Sequence, residues 1–135
     1  MNLLLDTHIF AWLLMQPEKL SEQNKSGLDQ ASARYLSVAS IYEMGQKYRL
    51  GRWPQIGVIL NRVDDILAIN DIETLPIDLN IARQASLLPW DHRDPFDRMI
   101  VATAKARDLA LMTADEQVLA FAFDTLSPND QQSLR

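Results

Sequence analysis

At 135 residues, with 47% apolar and 23% charged side chains, the chain has the make-up of one soluble globular domain, long enough to bury a core without covalent staples. It has no cysteine, which excludes disulfides, thiolate zinc sites and cysteine nucleophiles, and its two histidines, His8 and His92, are too few for an imidazole-rich metal site. The net charge of -5 argues against a broad nucleic-acid-binding surface, although Lys47, Arg49 and Arg52, and again Arg93 and Arg98, concentrate positive charge locally.

Residues 2–5 are a short apolar run ending sharply at Asp6, the pattern of a buried strand. A helix is predicted from there to about Met15, stopped by Pro17. The apolar run 3–15 lacks a basic leader and carries Asp6 and His8, so it does not read as a signal peptide. No stretch approaches the roughly 18 apolar residues of a membrane span, and a cytoplasmic protein is expected. Leu20 and Ser21 open a polar amphipathic helix to about Ala33, and residues 35–37 suit a short strand. From Val38 to about Leu50 the apolar spacing is helical, with Ile41, Met44 and Tyr48 near one face and Gly51 as the stop. Another helix is predicted over 54–69, then a strand over 74–77 and a helix capped by Asp78 and running to about Leu87. Residues 89–93 read as a loop. Asp94 and Pro95 start a helix with Phe96, Ile100 and Ala104 on one stripe and Met99, Val101 and Ala102 around it, a breadth that predicts burial on several sides. Residues 109–112 read as a buried strand, Thr113 as the start of a short helix, 123–126 as a last strand and 127–135 as a loosely ordered polar tail. No repeat or linker divides the chain, so residues 1–135 are expected to form one domain. Short apolar strands alternating with helices predict an α/β layer sandwich with a mostly parallel sheet.

In such sheets ligands bind outside the carboxyl ends of the strands. Four acids fall there: Asp6 after the first strand, Glu43 in the helix after the second, Asp97 in the first turn of the helix opened by Asp94, and Asp115 beyond the strand ending near Met112. Each of three has a plainer explanation. Thr113-Ala-Asp-Glu116 and Ser40-Ile-Tyr-Glu43 both fit capping boxes, and Asp94-Pro-Phe-Asp97 is a sufficient N-cap. Asp6 has no acid or amide three residues on to complete a box, and it interrupts an apolar run. Several carboxylates at close quarters raise one another's pKa, and Lys47, Arg93 and Arg98 are too few to neutralise a buried quartet. Divalent ions would do so. All-oxygen ligation suits magnesium or manganese, which can acidify water and neutralise charge on an in-line phosphoryl transition state.

The residues resemble a known family. Leu3-Leu-Leu-Asp6-Thr7-His8 resembles the opening of PIN-domain nucleases, and Ser37 to Lys47 with Arg49-Leu-Gly51 resembles the second block of their VapC-like toxin branch. His92-Arg-Asp-Pro-Phe-Asp97-Arg98 is the most specific block, and Thr113-Ala-Asp115 fits the last. The blocks occur in family order over nearly the whole chain. The resemblance implies a PIN-like three-layer sandwich, metal bound by Asp6, Glu43, Asp97 and Asp115, and magnesium- or manganese-dependent endonucleolytic cleavage of RNA. It also implies the toxin of a type II toxin–antitoxin pair, a homodimer silenced by a small antitoxin protein.

Asp6 and Asp97 are then expected as the principal ligands, with Glu43 and Asp115 acting through water or on a second ion. Thr7 and Thr113 can hydrogen-bond a carboxylate or the ion's water, ordinary capping being the alternative. Arg98 can steady a phosphate or pair with Asp94 one turn away. Lys47, with Arg49 and Arg52, can guide an RNA backbone or simply form a solvated face. His92 reads as a loop residue, Asp94 as an N-cap, and Trp12, Trp53 and Trp90 as core or interface residues. A covalent aspartyl phosphoryl-transfer enzyme is disfavoured, because haloacid-dehalogenase-like enzymes want a second aspartate where His8 stands. A non-catalytic scaffold is disfavoured by the presence of all four acids, and an RNA-processing nuclease outside a toxin pair is the nearest alternative.

Overall fold

The computed structural model describes residues 1–122. Four strands, β1 (Asn2–Leu5), β2 (Ala33–Ser37), β3 (Ile72–Leu75) and β4 (Ala110–Met112), form one fully parallel sheet in the spatial order β3-β2-β1-β4. Leu5 lies opposite Leu36 on one side and Met112 on the other, so the carboxyl ends of β2, β1 and β4 are level.

The period-two alternation of the strands sorts their side chains between two cores. Leu3, Leu5, Leu36, Ile72 and Met112 face a cluster containing Ile9, Phe10, Met44, Ile56 and Ile59. These come from α1 (Thr7–Met15), α3 (Val38–Arg49), a 3-10 turn at Pro54–Ile56 and α4 (Gly57–Asn61). The same side takes α2 (Glu22–Gln30) through Leu28 and α5 (Val63–Ile69) through Ile66 and Leu67. Leu4, Leu75 and Leu111 face the other way, onto Ile100, Val101 and Ala104 of α7 (Pro95–Arg107) and Val118 of α8 (Glu116–Ala122). Outside α7 lies α6 (Leu79–Leu87), seated through Ile81 and Ala85 against Ala102. Full burial of such side chains contributes roughly 1.5–3 kcal/mol each, which is why the unbroken apolar run of β1 becomes the central strand.

The chain first steps outward from β1 to β2 to β3 with every connecting helix on one face. It then crosses by α6 and α7 on the other face, and β4 returns beside β1. The strand order therefore reverses between β1 and β4, and a crevice opens at their carboxyl ends. Asp6 and Thr113 are the residues that leave those two ends.

Four boundaries differ from expectation. The second helix stops at Gln30 rather than Ala33, because Ser32 donates its N–H to the carbonyl of Met1 and Ala33 enters the sheet opposite Asn2. The helix predicted over 54–69 is three pieces, broken at Arg62 (φ -133°), and no proline or glycine marks the break. β3 lies two residues early: Asp71 turns the chain with φ 53° directly into the sheet, and Pro76 has no N–H to extend the ladder. The last helix begins at Glu116, capped by Asp115 rather than started by Thr113. The strand expected over 123–126 and the tail over 127–135 lie outside the described residues. No helix among the described residues is long and apolar enough to cross a membrane.

Candidate metal centre

Asp6 is fixed by its backbone first. Its N–H donates to the Met112 carbonyl (2.9 Å), which ties the end of β1 to the end of β4. In the side chain, Oδ1 accepts from the Thr7 N–H (2.7 Å) and Oδ2 from the Thr113 hydroxyl. Only 6% of Asp6 is exposed, and this burial pushes its carboxyl above the usual range; the Glu43 charge adds to the rise, while Thr113, the Thr7 N–H and His8 oppose it.

Glu43 does not belong to a capping box. Ser37 caps α3 by accepting from the Ala39 N–H (3.0 Å), and Ser40 instead shares a hydrogen bond with the Thr7 hydroxyl (2.8 Å). The Thr7 hydroxyl donates to Glu43 Oε1 (2.7 Å), and Lys47 Nζ donates to Oε2 (2.7 Å) from one helical turn away. Both oxygens of a buried carboxylate are thereby satisfied. Lys47 points inward, with Nζ 5.8 Å from the Trp53 ring centroid, and Trp53 in turn stacks on His8 at 4.9 Å. Lys47, for which an RNA-guiding role and a plain solvated face are the alternatives from sequence, is the ion partner of the site's most buried acid.

Asp94 caps α7 by accepting from the N–H groups of Phe96 (2.9 Å) and Asp97 (3.2 Å), as expected of it. That leaves the Asp97 carboxylate available, and its Oδ2 lies 2.7 Å from His92 Nε2. Burial, reinforced by Asp6, Asp94 and Asp115, pushes Asp97 up to about 6 against the opposing effect of His92. Asp115 is exposed; its Oδ1 accepts from the N–H groups of Gln117 (2.9 Å) and Val118 (3.1 Å), so it caps α8. Its own N–H donates to the Thr113 hydroxyl (3.1 Å), linking it to Asp6.

The four acids are linked pairwise at this edge of the sheet: the charge of Glu43 acts on Asp6, and those of Asp6 and Asp115 act on Asp97. Arg98 does not join them. Its guanidinium donates to the carbonyls of Ala85 (2.9 Å), Trp90 (2.7 Å), His92 (3.0 Å) and Leu88 (2.9 Å), with a longer contact to Ser86 (3.4 Å). Its donors are taken by main-chain carbonyls and it forms no ion pair with Asp94; it clamps the loop between α6 and α7. Sequence reasoning missed the contact of His92 with Asp97. Only the clamped loop brings a residue five positions upstream back against the helix. His92, Asp94 and Asp97 each offer a ligand atom within 4.8 Å of the others. Trp90 stacks on Phe121 at 4.6 Å and packs against the core, as expected of the tryptophans.

The donor set fits a hard divalent cation. The groups at this edge are carboxylate and hydroxyl oxygens with the one imidazole of His92, and burial opposes the charge of Asp6 and Asp97. Among the described residues, neither Asp6 nor Asp115 forms an ion pair.

The family model of the PIN domain matches residues 3–124. The chain belongs to the PIN domain family. No curated protein matches the sequence. PIN domains are generally metal-dependent nucleases that use divalent ions and act on RNA or other nucleic acids. The all-parallel sheet and the acidic crevice between β1 and β4 are this PIN domain's version of that architecture.

Proposed function

We propose that this PIN domain is a magnesium- or manganese-dependent endoribonuclease, the toxin of a type II toxin–antitoxin pair, working in the cytoplasm as a homodimer of single-domain chains and silenced by a small antitoxin protein. The observation that carries the nuclease chemistry is the pair Asp6 and Asp97, two carboxylates raised by burial at one crevice with no lysine or arginine paired to either among the described residues. The toxin assignment rests on the Asp94-Pro-Phe-Asp97-Arg98 block and its companions in order along the chain.

Asp6 and Asp97 are the principal ligands, with Asp115 acting through water; Glu43, the fourth acid of the set, stands beside them with Thr7 on one oxygen and Lys47 on the other. A bound divalent ion supplies acidified water and charge neutralisation for phosphodiester hydrolysis. Thr113 holds Asp6 Oδ2, and Thr7 holds Asp6 Oδ1 by its N–H and Glu43 by its hydroxyl, so the carboxylates are oriented before substrate arrives. His92 Nε2 holds Asp97 Oδ2 at 2.7 Å.

Purified protein is expected to cleave structured RNA with magnesium or manganese and to lose that cleavage on chelation. Cleavage that persists in excess chelator would sink the mechanism. Brief induction in cells with mapping of RNA ends, wild type against Asp6→Asn, tests the toxin role; growth and RNA ends unaltered by the wild type would favour an RNA-processing enzyme instead.

A further inference from the structure

The Lys47–Glu43 pair bears on how many ions the centre holds, an inference that rests on reading the acids as a divalent-metal site. Lys47 Nζ lies 2.7 Å from Glu43 Oε2, and the Thr7 hydroxyl lies 2.7 Å from Oε1. The glutamate side chain is 4% exposed and the lysine side chain 32%, so the contact is shielded from water and salt on the carboxylate side. A cation approaching Glu43 would meet the charge of the ammonium already held 2.7 Å from Oε2 and would compete with the Thr7 donor at Oε1. Glutamate before lysine at this helical spacing is the favourable order. The ammonium is also held from above by the Trp53 ring, itself stacked on exposed His8.

The other corner is different: among the described residues Asp6 and Asp115 have no ion partner, and Asp97 has only His92. We propose that Lys47 occupies the place of a second cation at Glu43, so that the PIN centre of this chain binds a single divalent ion on the Asp6–Asp97 side. Lys47 is thus a built-in counter-charge that sets the stoichiometry of the site. Glu43 is a positioning residue, presenting Thr7 to the crevice, rather than a ligand.

The test is the count of manganese ions bound per chain, read by calorimetric titration with MnCl2 and by equilibrium dialysis, with folding followed by circular dichroism. Wild type is expected to bind one. Lys47→Met exposes Glu43 and is expected to bind two, the second lost again in Glu43→Gln/Lys47→Met. That double variant removes both charges together and leaves no unpaired buried ion. It should retain one ion within about threefold of the wild-type dissociation constant, whereas loss of a true ligand should weaken binding about tenfold or more. If Lys47→Met does not fold, the wild-type count and the double variant still decide. Two ions on wild type, one ion on folded Lys47→Met, or a tenfold loss in the double variant would each overturn the role of Lys47 while leaving a metal centre standing. No manganese on wild type would overturn the metal centre itself, and this inference with it.

Discussion

Glu43 and Asp97 are both carboxylates near the start of a helix that leaves the same edge of the sheet, and their surroundings are opposite. Glu43 has a lysine on one oxygen and a hydroxyl on the other, so its charge is answered inside the protein. Asp97 is half-buried and Asp6 buried, each without a lysine or arginine partner among the described residues; Asp97 has only His92, and desolvation pushes both toward the neutral form. Residue type alone does not make a ligand. An acid already neutralised contributes structure, and an acid left in electrostatic debt attracts a cation from solution.

The largest expected effect lies at the second corner. Asp6→Asn and Asp97→Asn should each lower metal-dependent RNA cleavage by on the order of a thousandfold or more, the scale of losing several kcal/mol of charge stabilisation. Activity of either variant near wild type in a timed cleavage assay would erase the contrast. Next comes the clamp that carries His92 to Asp97. Arg98→Lys leaves one ammonium where a planar fork reaches several carbonyls, and should destabilise the fold by about 2–3 kcal/mol in urea titration.

A smaller effect sharpens the comparison through its sign. In ion-free protein at pH 7, Glu43→Gln strands Lys47 and should lower stability by about 1–2 kcal/mol. Asp97→Asn should raise it, because a charge opposed by burial is removed. Asp97 binds its proton more tightly in the fold, at about 6, than in the unfolded chain, near about 4. Its penalty is therefore fully present above pH 6 and relieved as pH falls through that value. The gain from Asp97→Asn should accordingly shrink between pH 7 and pH 5 in chelator, while metal-dependent cleavage by wild type declines over the same interval. A gain that grows on acidification would show the shift to have the opposite direction. The smallest effect is expected at Asp94→Asn, which keeps a capping oxygen for Phe96 and Asp97: cleavage nearly unchanged and at most about 1 kcal/mol of stability lost. A loss as deep as that of Asp97→Asn, in folded protein, would show that the wrong aspartate of the two had been taken as the ligand.

Much of the fold was legible because its signals are local. The apolar run of β1, the stop at Pro17, Ser21, Asp78 and Asp94 as caps and the breadth of α7 each follow from neighbouring residues, and they yield parallel strands alternating with helices. The four acids could be set at one edge on the same basis, since topology requires strand ends to converge. The Lys47 partner of Glu43, one helical turn on, and the Asp115 cap of α8 are local in sequence, whereas the partners of Asp6 Oδ2, Glu43 Oε1 and Asp97 are not helix-spacing pairs. Ser40-Ile-Tyr-Glu43 has the spacing of a capping box, and only the packing of α1 against α3 puts Thr7 within reach and turns Lys47 inward. Arg98 could be read as steadying a phosphate or pairing with Asp94, and only the folded loop after α6 shows its donors on main-chain carbonyls. Sequence determined which groups stand at the crevice, through periodicity and chain order. Tertiary structure decided how they are held, because hydrogen bonds between residues 36 or 107 positions apart depend on distances that only the assembled layers define.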